Sequence, residues 1–186
     1  MRLPADTTLL ALGPLTNVAA ALAADPSLAT RIRVAIVGGN LASRGRWPPV
    51  WPFEFNLAKD AAAARAVFAS AVPRLLYPLD VCRALTVGAA ELRAWSRLSP
   101  LGAYLARHAW RWLAYAPLRY RRLRFPLWDL VPALDALGRL SGDHVERRLA
   151  CVGRGRIVDD AEAPPARVLA ALEPEAALAA FRAIIQ

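Results

Sequence analysis

The stretch TLLALGPLTNVAAALAADP, residues 8–26, carries the clearest fold signal in the chain. Residues 8–12 are a short apolar run typical of a buried strand, and a Gly-Pro pair closes the run with a tight turn. Residues 15–24 then have the composition of a helix, which an Asp-Pro pair ends. The stretch therefore predicts a strand, a turn and a helix in that order.

The same alternation continues further along the chain. RIRVAIVGGN, residues 31–40, predicts a second buried strand that ends in two glycines, where the backbone can approach a ligand closely. Asp60 is placed to cap an Ala-rich helix that runs to about Ala69, and PRLLYPLDV predicts a third apolar strand. Strands that alternate with helices predict parallel βαβ units. We therefore predict an α/β fold, with a mostly parallel, Rossmann-like sheet and flanking helices.

The second half of the chain has a different pattern. Residues 91–140 have a helical pattern with prolines as breaks, namely Pro100, Pro117 and Pro126. A hairpin is predicted around residues 153–155, followed by the strand ARVLAAL and a closing helix from about residue 174 to 185. The Pro- and Trp-rich segment LASRGRWPPVWPFEFN is predicted to be an irregular loop. With no repeat or linker in the sequence, we expect residues 1–186 to form one domain.

Composition excludes several classes of protein. With 56% hydrophobic and 21% charged residues, the chain is neither disordered nor a long solvated helix. Its two cysteines are too few for a disulfide framework or a zinc site, and reduced thiols fit a cytoplasmic location. Because no uninterrupted apolar run approaches the roughly 20 residues that span a bilayer, we expect a soluble protein without a membrane partner.

Basic and aromatic residues are interleaved in WRWLAYAPLRYRRLRF, residues 110–125, in a chain of net charge +9. Such a segment can bind nucleic-acid backbone and bases, or a membrane surface. The other interpretation is an amphipathic helix and its loop, with arginine heads reaching water over buried rings. Since arginine replaces lysine almost everywhere in this Ala-rich chain, we favour the second interpretation and do not expect nucleic acid as a partner.

Several stretches in fixed order resemble the nucleoside hydrolase family, enzymes that cleave the N-glycosidic bond of ribonucleosides. LLALGPLTNVAAAL is similar to the family's GPLTN element, and IVGG is similar to its Met-Gly-Gly strand end. FEFNLAKDAAAARAVF is similar to its Glu-Phe-Asn stretch and the helix that follows, and YPLDV looks like its next strand. PLWDLVPAL resembles the late helix that begins with a calcium-binding Asp. Together these stretches cover almost the whole chain.

The resemblance implies hydrolysis of purine ribonucleosides to base and ribose, with Ca²⁺ as the cofactor. It implies that Asp129 and the main-chain carbonyl of Leu12 are calcium ligands and that Glu54 and Asn56 bond the ribose hydroxyls. Purine-specific members place a Trp before the calcium-binding Asp, so Trp128 would stack on the leaving base. In the alternative interpretation Asp129 caps a helix, Trp128 packs in the core, and Glu54 and Asn56 satisfy loop backbone.

The sequence departs from the family pattern at its start. The family's Asp-x-Asp-x-x-x-Asp-Asp cluster would lie upstream of Met1, so we expect the chain to be the C-terminal portion of the family domain, lacking the first βα region. We then expect an incomplete calcium site, impaired hydrolysis, and an isolated chain that is inactive or weak. The alternative function is a non-catalytic nucleoside- or nucleic-acid-binding remnant that uses the Arg/aromatic segment 110–125. A purine nucleoside is the expected partner, and a homo-oligomer is left open.

Overall fold

The computed structural model describes Pro4 and residues 6–41 and 54–186. Most of the predicted Pro- and Trp-rich loop, residues 42–53, lies outside the described residues. The chain divides into two compact units, the first formed by residues 1–81 and 142–171 and the second by residues 82–141 and 172–186. The single domain predicted over residues 1–186 stays a prediction.

The first unit is built on a sheet in which, within the described residues, six strands are hydrogen-bonded side by side. The strands lie in the order β1 (Thr7–Ala11), β2 (Ile32–Val37), β3 (Arg74–Tyr77), β8 (Pro165–Leu172), β6 (Gly142–Val152) and β7 (Arg156–Asp159). β1, β2, β3 and β8 pair with one another in parallel, and β6 and β7 form an antiparallel hairpin. The predicted α/β fold with a mostly parallel sheet is confirmed, as is the hairpin around residues 153–155.

Helices of the first unit connect these strands. They are α1 (Thr16–Ala24), a 3-10 turn (Pro26–Thr30), α2 (Phe55–Lys59), α3 (Ala61–Ala69) and α4 (Leu79–Cys82), the last of which ends at the boundary of the unit. Asp60 caps α3 as predicted, because its carboxylate accepts the Ala63 amide at 3.0 Å. The Asp-Pro pair ends α1 as predicted, and Asp25 also caps the 3-10 turn by accepting the Ser27 amide.

The core of the first unit explains why its strands read as continuous apolar runs. Val34 and Ile36 of β2, Leu76 of β3 and Val168 of β8 are at most 1% exposed and share one cluster with Phe68 of α3. Ala35 and Val37 of β2, whose side chains alternate to the other face of the strand, are equally buried. Parallel strands covered on both faces lose the polar alternation of a half-exposed strand.

The second unit is mainly helical. It contains β4 (Thr86–Gly88), α5 (Ala89–Trp95), α6 (Pro100–Tyr120), β5 (Arg124–Pro126), α7 (Leu130–Ala136) and the closing helix α8 (Pro174–Ile184). β4 and β5 form a short antiparallel pair that the helical pattern did not predict. The closing helix is confirmed.

The prediction that Pro117 breaks the helix is wrong. Pro100 does begin α6, but the helix continues through Pro117 to Tyr120 before Arg121 adopts a left-handed conformation with φ 55°. Pro117 lies in the last turns of α6, where few hydrogen bonds remain to be lost. The packing of Leu113 and Ala116, both buried, stabilises the end of the helix against this cost.

Both cysteines are free and buried, and they belong to different units, Cys151 to the first and Cys82 to the second. Burial raises the pKa of the Cys151 thiol to about 11, so the thiol stays protonated at neutral pH. In the part of the chain that the structure describes, none of the helices is both long and apolar enough to cross a bilayer. The cytoplasmic location stays a prediction.

Candidate functional site

Asn56 links the carboxyl ends of two parallel strands in the first unit. Its side-chain Nδ2 donates to the carbonyl of Val37, the last residue of β2, at 2.9 Å. The same nitrogen lies 3.4 Å from the carbonyl of Leu12, which follows β1. Ligands of parallel α/β sheets collect at this edge, so the structure places two predicted site residues, Leu12 and Asn56, where a ligand is expected.

Glu54 lies beside Asn56 and caps α2. Its side chain is buried, only 8% exposed, and its Oε1 and Oε2 accept the amides of Asn56 and Leu57, each at 2.7 Å. A Cβ added to Gly38 would lie 3.1 Å from Oε2, so the bare glycine after β2 leaves room for this carboxylate. The glycine pair predicted to permit close approach therefore accommodates a side chain of the chain itself.

Burial raises the pKa of the Glu54 carboxyl above its usual value, while amides of Leu57, Asn56 and Gly39 oppose that rise by donating to the charged form. A carboxylate has about four lone-pair sites, and these three amides leave about one of them unused. Glu54 can therefore accept a hydrogen bond from a ligand hydroxyl without giving up its role as the cap of α2. Phe55, the next residue, is 67% exposed.

The β6–β7 hairpin supports α2 from the other side. Gly155 has φ 90°, and a Cβ at this position would lie 2.6 Å from the carbonyl carbon of Leu57 and 2.7 Å from the amide nitrogen of Ala58. Arg65 of α3 also donates to the carbonyl of Gly153 at 2.6 Å. The sequence predicted the hairpin but not its contact with α2. The two glycines of the Gly-Arg-Gly turn were the one sequence signal that could have indicated this close backbone contact.

Trp128 and Asp129 lie in the second unit, directly before α7. The backbone of Asp129 is already helical, with φ −75° and ψ −17°, and its side chain makes no capping hydrogen bond. The amides of Leu130 and Val131 are instead bonded to the carbonyls of Leu127 and Trp128. The structure therefore does not support the alternative in which Asp129 serves as the cap of α7.

Trp128 and Asp129 are more exposed to solvent than residues of the core. Asp129 is exposed, and partial desolvation raises the pKa of its carboxyl. Trp128 is half-buried, whereas Trp95 of the same unit is 3% exposed and packs edge-on against Phe181 with ring centroids 5.0 Å apart. Trp95, rather than Trp128, has the packing of a core tryptophan.

The described residues do not by themselves fit a calcium ion. Calcium takes six to eight oxygen ligands, and within residues 6–41 and 54–186 no three His, Cys, Asp or Glu side chains cluster to hold a metal. Leu12 offers a carbonyl that already faces the Asn56 amide, and Asp129 offers one carboxylate. Leu12, Glu54 and Asn56 lie together in the first unit, and Trp128 and Asp129 are neighbours in the second.

Three kinds of comparison relate this chain to known proteins. A model of the inosine-uridine preferring nucleoside hydrolase family matches residues 1–179. The non-specific ribonucleoside hydrolase RihC of Escherichia fergusonii is 42% identical over 81 residues, which are 44% of this chain and 26% of that protein. Among solved structures, a plant nucleoside hydrolase matches with a TM-score of 0.84 and 22% identity, covering 96% of this chain and 61% of that one.

The purine-preferring ribonucleoside hydrolase from Gardnerella vaginalis matches with a TM-score of 0.81 and 25% identity, over 96% of this chain and 60% of that chain. The chain thus spans about three fifths of the solved relatives and 26% of the RihC protein. Since the family model matches nearly the whole sequence, and the sheet agrees with the solved folds, this chain belongs to the inosine-uridine preferring nucleoside hydrolase family.

Proposed function

We propose that this protein binds purine ribonucleosides and takes part in hydrolysis of their N-glycosidic bond. The observation that carries the proposal is the Trp128-Asp129 pair, in which the carboxylate does not cap α7 and the indole is partly exposed. A partly exposed indole can stack on a purine, and the preference of the Gardnerella vaginalis relative for purines supports this role. The family membership supplies the reaction class.

The residues of the first unit suit the ribose. Cleavage of the glycosidic bond develops positive charge on the sugar, which a nearby carboxylate stabilises. Glu54 is proposed to accept a hydrogen bond from a ribose hydroxyl through a lone pair that the α2 amides leave open. Asn56, with its Nδ2 committed to strand carbonyls, is proposed to offer Oδ1 to a second hydroxyl. Trp128 is proposed to hold the leaving base.

Calcium is proposed as the cofactor, with Asp129 and the Leu12 carbonyl as two of its oxygen ligands. The described residues do not by themselves complete a calcium shell. The proposed contribution of this chain is to bind and orient the nucleoside. Hydrolysis would further need a positioned water and its base, and no residue of the described part is assigned to that role.

Binding tests the proposed roles of Trp128 and Glu54 separately. We expect the chain to bind inosine more tightly than uridine in isothermal titration calorimetry. Trp128→Ala should weaken both inosine and free hypoxanthine by about 5- to 100-fold, the range typical of lost base stacking. Glu54→Gln should weaken inosine but leave hypoxanthine unchanged, since the free base has no ribose.

Two variants control for surface effects in this experiment. Trp128→Phe keeps an aromatic ring and should retain most of the affinity. Leu137→Ala removes another exposed apolar side chain, 63% exposed at the far end of α7, and should have no effect. Equal affinity for inosine in wild type and Trp128→Ala would refute the stacking role, and equal losses for inosine and hypoxanthine in Glu54→Gln would refute the ribose role.

Turnover of inosine by the 186-residue chain is expected to be low, with calcium or with a chelator. The physical reason is the shortage of oxygen ligands among the described residues. Release of reducing sugar from inosine measures the activity. Rapid calcium-dependent release that Asp129→Ala abolishes would contradict the expected low turnover, while it would support Asp129 as a ligand.

A further inference from the structure

Helix α6 exposes aromatic rings that sequence analysis expected to be buried. Trp112 and Tyr115 are 57% and 44% exposed, so the interpretation of arginine heads lying over buried rings is wrong for these two residues. Tyr104, which lies before that segment, is 61% exposed. The spacing of eight and three residues places all three rings on one side of the helix. The opposite side is formed by the buried residues Gly102, Ala106, Leu113 and Ala116.

We define the aromatic face of α6 as Tyr104, His108, Trp112 and Tyr115. The Tyr104 and His108 rings are 4.4 Å apart, and the Trp112 and Tyr115 rings are 6.2 Å apart at an interplanar angle of 73°. From Tyr104 to Tyr115 the helix advances about 16 Å. That length accommodates roughly five bases at the 3.4 Å spacing of stacked bases.

The charged residues of the sequence on either side of this face are basic. Between Glu91 and Asp129 the sequence contains no Asp or Glu and eight arginines, which are Arg93, Arg97, Arg107, Arg111, Arg119, Arg121, Arg122 and Arg124. Arg124 is engaged by Glu91 in an ion pair of 2.8 Å. Arg107, Arg111 and Arg122 are exposed, and Arg119 lies over the Tyr120 ring at 5.5 Å.

We propose that the aromatic face of α6, with Arg111 and Arg119 beside it, binds single-stranded nucleic acid. Rings that are open to solvent can stack on unpaired bases, and guanidinium groups at the same side of the helix can contact the phosphates between them. The residues of this surface are not among those of the proposed nucleoside site, and its function does not depend on hydrolysis.

The arrangement favours this partner over the other surfaces that such a helix could meet. An interfacial membrane helix keeps its apolar rings on one face and its cations on the other. Here Arg111 and Arg119 fall on the same side as the rings by helical spacing. A second copy of this chain would bring like charges together, which is costly. Duplexes stack their bases internally and leave none for the rings.

Fluorescence anisotropy with a labelled oligothymidylate of about 15 nucleotides tests the proposal on the full chain. Trp112→Ala/Tyr115→Ala should weaken binding by about 25-fold or more, because two stacking rings are lost. Arg111→Gln/Arg119→Gln should reduce the slope of log affinity against log salt by about 0.7 per phosphate contact. If about four phosphates are contacted, raising salt from about 50 to about 200 mM should weaken wild type about 50-fold.

Arg156→Gln/Arg167→Gln is the matched control, because it removes two charges from exposed arginines of the first unit. This control should bind the oligonucleotide like wild type. No binding by wild type, equal losses in the control and the α6 variants, or tighter binding to duplex than to single strand would overturn the proposal. Binding to phosphatidylserine vesicles but not to the oligonucleotide would also overturn it, in favour of a membrane surface.

Discussion

The Gly155→Ala variant is expected to lose about 2–5 kcal/mol of its free energy of unfolding. Two costs combine at this position. Gly155 has φ 90°, a conformation that alanine adopts only with strain, and the added Cβ would lie 2.6 Å from the Leu57 carbonyl carbon. The atoms in its way are backbone atoms of α2, which cannot move aside by rotating a side chain. Urea unfolding followed by circular dichroism measures the loss.

Gly153→Ala is the matched control for this variant. Gly153 lies in the same turn at φ 55°, but an added Cβ would have no atom within 4 Å. Its expected cost is therefore the conformational one alone, about 1–2 kcal/mol. A difference of less than about 1 kcal/mol between the two variants would contradict the close contact between the hairpin and α2.

The same substitution bears on the proposed ribose site. Helix α2 holds Glu54 at its cap and Asn56 in its first turn, and Gly155 touches the backbone one residue further on. A shift of α2 would move both side chains relative to the ends of β1 and β2. Inosine affinity should therefore fall in Gly155→Ala more than in Gly153→Ala, even under conditions where both variants are folded.

The Arg74→Met variant is expected to lose about 3–5 kcal/mol of its free energy of unfolding. Arg74 is 3% exposed, and its Nη1 donates to the carbonyls of Val67, Phe68 and Ser70 at 2.8–3.1 Å. Its Nη2 donates to the Pro164 carbonyl at 2.8 Å. The guanidinium thus caps the C-terminus of α3 and ties it to the segment before β8. Methionine keeps much of the volume but removes the guanidinium donor from these carbonyls, of which only that of Val67 still accepts from the Ser70 hydroxyl.

Charge strengthens this cap. The C-terminus of a helix carries partial negative charge, which a cation stabilises, and the guanidinium also lies 5.6 Å from the centroid of the Phe68 ring. Burial lowers the pKa of Arg74, yet an arginine remains protonated at neutral pH. Arg74→Lys retains the charge without the planar fork of donors and should recover only part of the stability.

Arg167→Met is the control for the Arg74 substitution. Arg167 is exposed on β8, beside Leu75 in the sheet register, and its replacement should change stability by no more than about 0.5 kcal/mol. Denaturant unfolding of the three variants on the same scale compares them. If Arg74→Met is as stable as Arg167→Met, the proposed cap of α3 is not a significant source of stability.

Much of the fold could be predicted because local patterns determine it. The apolar runs of β1, β2 and β3 alternate with helices, and only parallel connections suit that order. Asp60 and the Gly-Arg-Gly turn are local signals that the structure confirms at the start of α3 and at the β6–β7 hairpin. Pro117 misled the prediction, because the packing of α6 outweighs a local cost that sequence reasoning treats as a break.

The sequence by itself determined the parallel α/β order and, through the spacing of its motifs, the nucleoside hydrolase family. Only the tertiary structure decided that the Asn56 amide joins the ends of two strands, that Gly155 abuts α2, and that Arg74 caps α3 from a neighbouring strand. It also decided that the rings of α6 face solvent. These contacts join residues distant in the chain or depend on which face is covered, and neither property follows from local composition.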